Sequence, residues 1–260
     1  MVRGRDAFTH SLKALTYRPS GGIVAAPTTS LPERLHGSRN WDYRICWLRD
    51  ATFTLLALMN NGYFDEAKSW HEWLIRSVAG DPAKIQIMYG LTGERRIDEW
   101  QMECLSGFDG ARPVRIGNAA TQQRQLDIYG EIIDALYQGH RCQVPVDHEG
   151  WAMQRKLLEH LEGIWQGPDN GIWEVRNCRR DYTHSKVMVW VAYDRAIRSA
   201  IRFGLDGPVE RWRAMQKSVK DEVCRKGYDE SVGAFTQSFG SKKLDASLLL
   251  MPIVGFLPGE

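Results

Sequence analysis

Residues 48–79, LRDATFTLLALMNNGYFDEAKSWHEWLIRSVA, contain the clearest secondary-structure signal in the chain. Apolar side chains cover two sides of the segment from Leu48 to Asn61, which predicts a buried helix. Asn60-Asn61-Gly62 marks the predicted end of this helix, because glycine readily caps a helix C-terminus. A second helix is predicted from Tyr63 to Ala79, and so short a connection favours an antiparallel helical hairpin.

Helical periodicity dominates the rest of the chain as well, so the sequence predicts an all-α protein with about eight helices. The further predicted helices are Asp6–Tyr17, Asn118–His140, Glu149–Gln166, Thr183–Phe203, Pro208–Arg225 and Leu244–Met251. Strand signals are scarce, and the best two are Gly22–Pro27 and Ala234–Gln237. Long loops over residues 18–47, 80–117 and 167–182 separate the helices, and loops of this kind often carry function.

The composition is that of an ordinary globular protein and argues against several classes. The 260 residues are 43% hydrophobic and 25% charged with a net charge of +2, which gives no indication of nucleic-acid or membrane binding. The five cysteines are widely spaced without a C-x-x-C pair. Neither a disulfide framework nor a zinc site is therefore expected, and a cytoplasmic location is the simplest interpretation. We expect no signal peptide, no metal and no cofactor.

The first motif with chemical character is Asn40-Trp-Asp-Tyr-Arg-Ile-Cys-Trp-Leu-Arg-Asp50, directly before and into the buried helix. Arginine donors, carboxylate acceptors and flat aromatic faces together suit a neutral polyol, which both donates and accepts hydrogen bonds. The alternative is that Asp50 caps the helix while the aromatic residues only pack. Composition alone leaves both interpretations open.

The second motif is Asp169-Asn-Gly-Ile-Trp-Glu-Val-Arg176, which begins with a turn signal. Glu174 directly follows Trp173, and a carboxyl group pressed against an indole loses solvation, so its pKa rises. A glutamate held protonated in this way can donate its proton to a leaving oxygen. The alternative is a surface salt bridge from Glu174 to a nearby arginine, and the local sequence by itself favours that alternative.

Taken together, these motifs resemble the catalytic domain of glycoside hydrolase family 15, which includes glucoamylases, glucodextranases and bacterial trehalases. The resemblance covers the whole chain and is strongest to the bacterial trehalase or glucoamylase-like branch. Several motifs in the same order are far more specific than any single one. The motifs that carry the resemblance are Gly22–Glu33, Asn40–Asp50, Tyr89–Glu94, Arg112–Asn118, Gly171–Arg176 and Thr183–Met188.

The resemblance implies an (α/α)6 barrel, also called a six-hairpin toroid, built from inner and outer helices with the site at one end. Residues 1–260 would then form a single partial catalytic domain, truncated to about eight of the twelve helices. The resemblance also implies an inverting hydrolase of α-glucosidic bonds. Trehalose, α-1,4-glucans and α-1,6-glucans all fit the motifs.

The same resemblance implies a role for individual residues. Glu174 matches the general acid. The hydroxyls of the non-reducing glucose would be bound at the helix start by Arg49 and Asp50.

The other substrate-binding positions are aromatic residues and arginines. The pocket wall would consist of Tyr43, Trp47 and Trp173. The acceptor side would be approached by Arg112 and Arg115.

An inverting enzyme needs a second carboxylate, about 6.5–9.5 Å from the acid, to activate water. No segment matches the family's base motif, so we expect the general base to be missing from this chain. The acids available as substitutes are Glu99, Glu103, Asp229 and Glu230. The alternative function is a non-catalytic helical module that binds carbohydrate or self-associates as a homo-oligomer, since an incomplete barrel would expose apolar edges.

Overall fold

The computed structural model describes residues 9–142, 144–176 and 178–257, and this part of the chain is mainly helical. Each predicted helix has a counterpart there, which confirms the helical character expected from periodicity. The α-helices are α1 (residues 9–14), α2 (Leu48–Asn60), α3 (Phe64–Val78), α4 (Asp127–Arg141), α5 (His148–Ile164), α6 (Thr183–Phe203), α7 (Val209–Lys226) and α8 (Leu250–Ile253).

Short antiparallel two-stranded sheets lie in the loops between these helices. The pairs are β1 (Thr29–Pro32) with β2 (Asn40–Asp42), β3 (Cys46–Trp47) with β4 (Met88–Tyr89), β5 (Trp100–Gln101) with β6 (Arg115–Ile116), and β7 (Tyr228–Asp229) with β8 (Ala234–Phe235). The strand predicted over Ala234–Gln237 is confirmed only for Ala234–Phe235. The strand predicted over Gly22–Pro27 is wrong, because successive N–H groups there donate to different segments: that of Val24 to Leu15 and that of Ala25 to Ile45.

The chain divides into two compact units. The first unit comprises the described residues of Met1–Gln122 and Gly139–Val144, and the second comprises those of Gln123–Gln138 and Pro145–Glu260. None of the helices in the described ranges is long and apolar enough to cross a membrane.

The first unit contains the predicted hairpin of α2 and α3. The two helices pack together and are joined by Asn61–Tyr63, where Gly62 has a φ of +83° that favours glycine. Helix α2 buries only one of its two apolar sides, since Leu55 and Leu58 are buried whereas Phe53 is exposed. Burial of that one face against the rest of the unit supplies the hydrophobic stabilisation of the helix.

The second unit is built around α6, which has the predicted bounds and is buried along nearly its whole length. Helix α4 begins at Asp127 rather than at the predicted Asn118, after a 3-10 turn at Ala119–Gln122. The reason is that N–H groups before Asp127 bind side chains instead of helical carbonyls. Those of Arg124 and Leu126 donate to Asn170 Oδ1 at 3.2 Å and to Asp169 Oδ2 at 2.9 Å.

The last predicted helix, Leu244–Met251, is also only partly confirmed. A 3-10 turn spans Ala246–Leu249 before α8, and the carboxylate of Asp245 caps it by accepting the N–H of Ser247. The residues from 241 to 245 are not helical. The apolar spacing therefore predicted a helix in the right region but placed its start too early.

Candidate active site

In the first unit, the motif from residue 40 to residue 50 runs through β2 and β3 into the first turn of α2. The residue before the helix is Trp47, whose side chain makes no capping hydrogen bond. Asp50 is the third residue of the helix, so the interpretation that it caps α2 is wrong. Its carboxylate still lies in the first helical turn, where the helix dipole favours negative charge.

Asp42 and Arg44 form the structural anchor of this motif. The buried Asp42 carboxylate accepts the backbone N–H of Arg44 at 3.1 Å, its Nε and Nη2 groups at 2.9 Å each, and the N–H of Gly117 at 3.1 Å. Burial acts to raise the pKa of Asp42, but the hydrogen bonds from Arg44 and Gly117 hold it below its usual range. Asp42 therefore stays charged and joins β2 to the chain after β6.

The four predicted sugar-binding residues of this motif form two neighbouring pairs. The rings of Tyr43 and Trp47 have centroids 5.7 Å apart, with Tyr43 at the surface and Trp47 buried. Arg49 Nη2 lies 3.6 Å from Asp50 Oδ2, and the Asp50 carboxylate is partly exposed. Burial raises the pKa of Asp50, and the charge of Arg49 opposes that rise. Hydrogen-bond donors, acceptors and an aromatic face are thus available within a few residues.

The two predicted acceptor-side arginines have different surroundings. Arg115 Nη1 donates to the carbonyls of Ser38 at 2.8 Å and Asn40 at 3.1 Å, and the guanidinium lies 4.6 Å from the centroid of Trp41. Arg112 is exposed, and its Nη1 donates to the Glu103 carbonyl at 3.3 Å. The guanidinium of Arg115 therefore links loop segments, whereas that of Arg112 is accessible.

In the second unit, Glu174 lies in a strained turn. Its φ is +54°, in the left-handed region that non-glycine residues rarely occupy, and its N–H donates to the Gly171 carbonyl at 3.2 Å. Such a backbone costs on the order of 1 kcal/mol and persists only where the surroundings impose it. Gly171 has a φ of +68°, and a Cβ there would lie 2.6 Å from the Tyr182 ring. The turn therefore requires glycine at this position.

Amide side chains hold the far side of the turn. Gln123 Nε2 donates to the Glu174 carbonyl at 3.0 Å, and Gln123 Oε1 accepts Gln125 Nε2 at 3.1 Å. Asn170 Nδ2 donates to the Val175 carbonyl at 3.4 Å. These contacts fix the backbone from which the Glu174 carboxyl group extends. The side chain of Glu174 itself is half-buried.

Two buried aspartates of this unit interact electrostatically, and the sequence reasoning missed the role of both. Asp169, treated there only as part of a turn signal, is fully buried, as is Asp127. Burial, together with the charge of Asp127, raises the pKa of Asp169 to about 7, against the opposing hydrogen bond from the Leu126 N–H. No local sequence pattern reveals the raised pKa of Asp169, because Leu126 and Asp127, which influence it, are distant in sequence.

Trp173, the predicted pocket-wall residue of this turn, is 57% exposed. Its indole N–H donates to both carboxylate oxygens of Asp245, at 3.0 and 2.9 Å. Sequence reasoning missed Asp245 as well, since it lies far along the chain from Trp173. The contact assigns a definite orientation to the ring.

The acids considered as substitutes for the general base have local structural contacts or lie at the surface. Glu99 accepts the N–H of Ala119 at 3.1 Å and lies 3.5 Å from Arg115 Nε. Asp229 accepts the Ser231 hydroxyl, which holds its pKa below the usual range. Glu103 and Glu230 are exposed.

Comparison with known proteins gives a family match over almost the whole chain. The model of the glycosyl hydrolases family 15 matches residues 5–260. The trehalase of Mycobacterium tuberculosis is 45% identical over 260 residues, which cover 98% of this chain and 38% of that protein. The trehalase of Thermoplasma volcanium is 40% identical over 250 residues, which cover 96% of this chain and 40% of that protein. The chain thus spans less than half the length of these curated relatives.

Solved structures show a similar fold at low sequence identity. A glycosidase in complex with glucose has a TM-score of 0.72 and 16% identity, covering 98% of this chain and 64% of that chain. A glucoamylase from Saccharomycopsis fibuligera has a TM-score of 0.63 and 13% identity, covering 94% and 51%.

Proposed function

The chain belongs to the glycosyl hydrolases family 15, and on that basis we propose that it acts in the hydrolysis of α-glucosidic bonds, with trehalose as substrate. Similarity to relatives named trehalases over nearly the whole chain supports the substrate. The single observation that carries the catalytic assignment is the strained turn at Glu174, because left-handed non-glycine residues of this kind cluster at functional sites.

In this proposal Glu174 is the general acid. Its carboxyl proton passes to the glycosidic oxygen as the bond from that oxygen to the anomeric carbon breaks. A water molecule attacks the anomeric carbon from the opposite face and gives up a proton to a base, so the configuration inverts. The amide contacts from Gln123 and Asn170 support this role, since they hold the backbone of the acid in one conformation.

Residues of the first unit supply the proposed sugar contacts. Arg49 donates to glucose hydroxyls and Asp50 accepts from them. Tyr43 and Trp47 form an aromatic wall, in which the exposed Tyr43 ring meets the sugar and the buried Trp47 packs behind it. The proximity of these side chains within one short motif supports the assignment. For the acceptor side we propose two arginines. Arg112 contacts the sugar directly, because its guanidinium is exposed. Arg115 holds the shape of the loop, because its guanidinium donates to a backbone carbonyl.

The remaining parts of the proposal concern the fold and the base. We propose that the helices belong to a single partial (α/α)6 catalytic domain, in keeping with the glycosidase-like fold. The proposal assigns the general base to none of the four acids considered as substitutes, because two of them make local structural contacts and the other two lie exposed at the surface. Those acids are Glu99, Glu103, Asp229 and Glu230.

The test is trehalose hydrolysis by the protein expressed from its complete gene, compared with the Glu174→Gln variant. Loss of the acid is expected to lower kcat by about 10²–10⁴-fold. Glu230→Gln is the matched control, and its turnover is expected to equal that of the wild type. Undiminished turnover in Glu174→Gln contradicts the assignment of the acid. Trehalose binding without turnover by the wild type would instead favour a non-catalytic binding module.

A further inference from the structure

The exposed indole of Trp173 is fixed at its polar edge. Its Nε1 group lies 3.0 and 2.9 Å from the two oxygens of Asp245, although the ring is 57% exposed. Water can satisfy the N–H of an exposed indole, so burial does not require this contact. The contact restricts the rotation of the ring to one orientation. In that orientation the flat face of the indole is exposed to solvent.

Asp245 is itself held firmly. Its carboxylate accepts Gln237 Nε2 at 2.7 Å, the Ser247 N–H at 2.9 Å and the Ser247 hydroxyl at 2.6 Å. The carbonyl of Gln237 in turn accepts the N–H of Thr183 at 3.0 Å, which ties this group to the first residue of α6. Charge-assisted hydrogen bonds of this number hold the carboxylate ionised and fixed in direction.

We propose that Asp245 is a positioning residue that holds Trp173 as a platform for a pyranose ring of the substrate. The proposal rests on the function proposed above. The C–H groups of one face of a pyranose pack against a flat aromatic ring, and the indole has the largest such face. Because Trp173 directly precedes Glu174 in the strained turn, a ring fixed by Asp245 places the sugar against the segment that carries the acid.

A double-mutant cycle tests the platform. The Kd for trehalose is measured by titration calorimetry with the protein expressed from its complete gene, in a Glu174→Gln background that prevents hydrolysis of the ligand. Asp245→Ala, Trp173→Phe and the double variant are compared in this background. Asp245→Ala is expected to weaken binding about tenfold when Trp173 is intact, but less than about twofold together with Trp173→Phe, which lacks the indole N–H through which the effect acts. Asp221→Ala, which removes an exposed carboxylate paired with Lys217, is expected to leave Kd unchanged.

Asp245→Asn serves as the conservative variant, because asparagine keeps an acceptor for both the indole and the 3-10 turn; it is expected to restore most of the affinity. Equal effects of Asp245→Ala with and without the indole N–H overturn the proposal. The indole resonance of Trp173 in ¹H–¹⁵N spectra is expected to shift in Asp245→Ala but not in Asp221→Ala, and an unmoved resonance also overturns it. A wild type that neither binds nor hydrolyses trehalose, maltose or isomaltose rejects the proposed function itself.

Discussion

Two buried aspartates, Asp42 in the first unit and Asp169 in the second, anchor the two candidate segments in opposite ways. Asp42 accepts hydrogen bonds from Arg44 and Gly117, and its pKa is lowered. Asp169 lies near another buried acid, and its pKa is raised to about 7. The first is therefore a charged anchor at neutral pH, whereas the second is largely protonated below pH 7.

The difference extends to the backbone that each aspartate supports. Around Asp42, the candidate sugar-binding residues lie directly after β2, on β3 and in the first turn of α2, and none of these four has a positive φ. Near Asp169, Glu174 lies in a left-handed turn held mainly by amide groups. The comparison indicates that charged pairs stabilise a regular binding segment, while neutral contacts impose a strained geometry on the proposed acid.

The largest effect is expected from the protonation of Asp169. A raised folded-state pKa means that the folded protein binds this proton more tightly than the unfolded chain. The free energy of unfolding should therefore fall as pH rises from about 4 to about 7, by up to roughly 4 kcal/mol from this group. Urea unfolding of Asp169→Asn should show a flatter pH profile over that range. An unchanged slope in Asp169→Asn, relative to the control Asp221→Asn, contradicts the protonated anchor.

The next effect concerns the glycine of the strained turn. Gly171→Ala places a Cβ against the Tyr182 ring in a left-handed conformation, so the free energy of unfolding should fall by about 3 kcal/mol. Gly233→Ala is the matched control, because Gly233 has a φ of +70° but open space around it. Its loss should be about 1 kcal/mol. Equal losses, measured by urea unfolding, would show that packing under the turn contributes nothing.

The smallest effect is expected at the charged anchor. Asp42→Asn removes the charge that Arg44 pairs with, and should lower the free energy of unfolding by about 2 kcal/mol at pH 7. Because the folded-state pKa is lowered, the wild type should lose this contribution as pH falls below about 4. Asp98→Asn offers a matched control, since Asp98 pairs with Arg96 at the same spacing but is exposed. Its effect should stay below about 1 kcal/mol.

Sequence reasoning located the regular elements better than the contacts between them. Helix α6 has its predicted bounds because a periodic apolar pattern continues over its whole length. The motif ending at Asp50 could be recognised because its polar and aromatic residues are close in sequence. The roles of Asp169 and Asp245 could not be recognised, since their partners Leu126 and Trp173 are 43 and 72 positions away. No local pattern encodes such contacts.

The central claim is that Glu174 donates a proton to the leaving oxygen. The most direct measurement compares kcat/KM of wild type and Glu174→Gln on two substrates, trehalose and α-glucosyl fluoride, because fluoride leaves without needing a proton. If Glu174 is the acid, its loss should lower kcat/KM by at least about 10²-fold on trehalose but by less than about tenfold on the fluoride. Equal losses on both substrates would contradict the role of Glu174 as general acid.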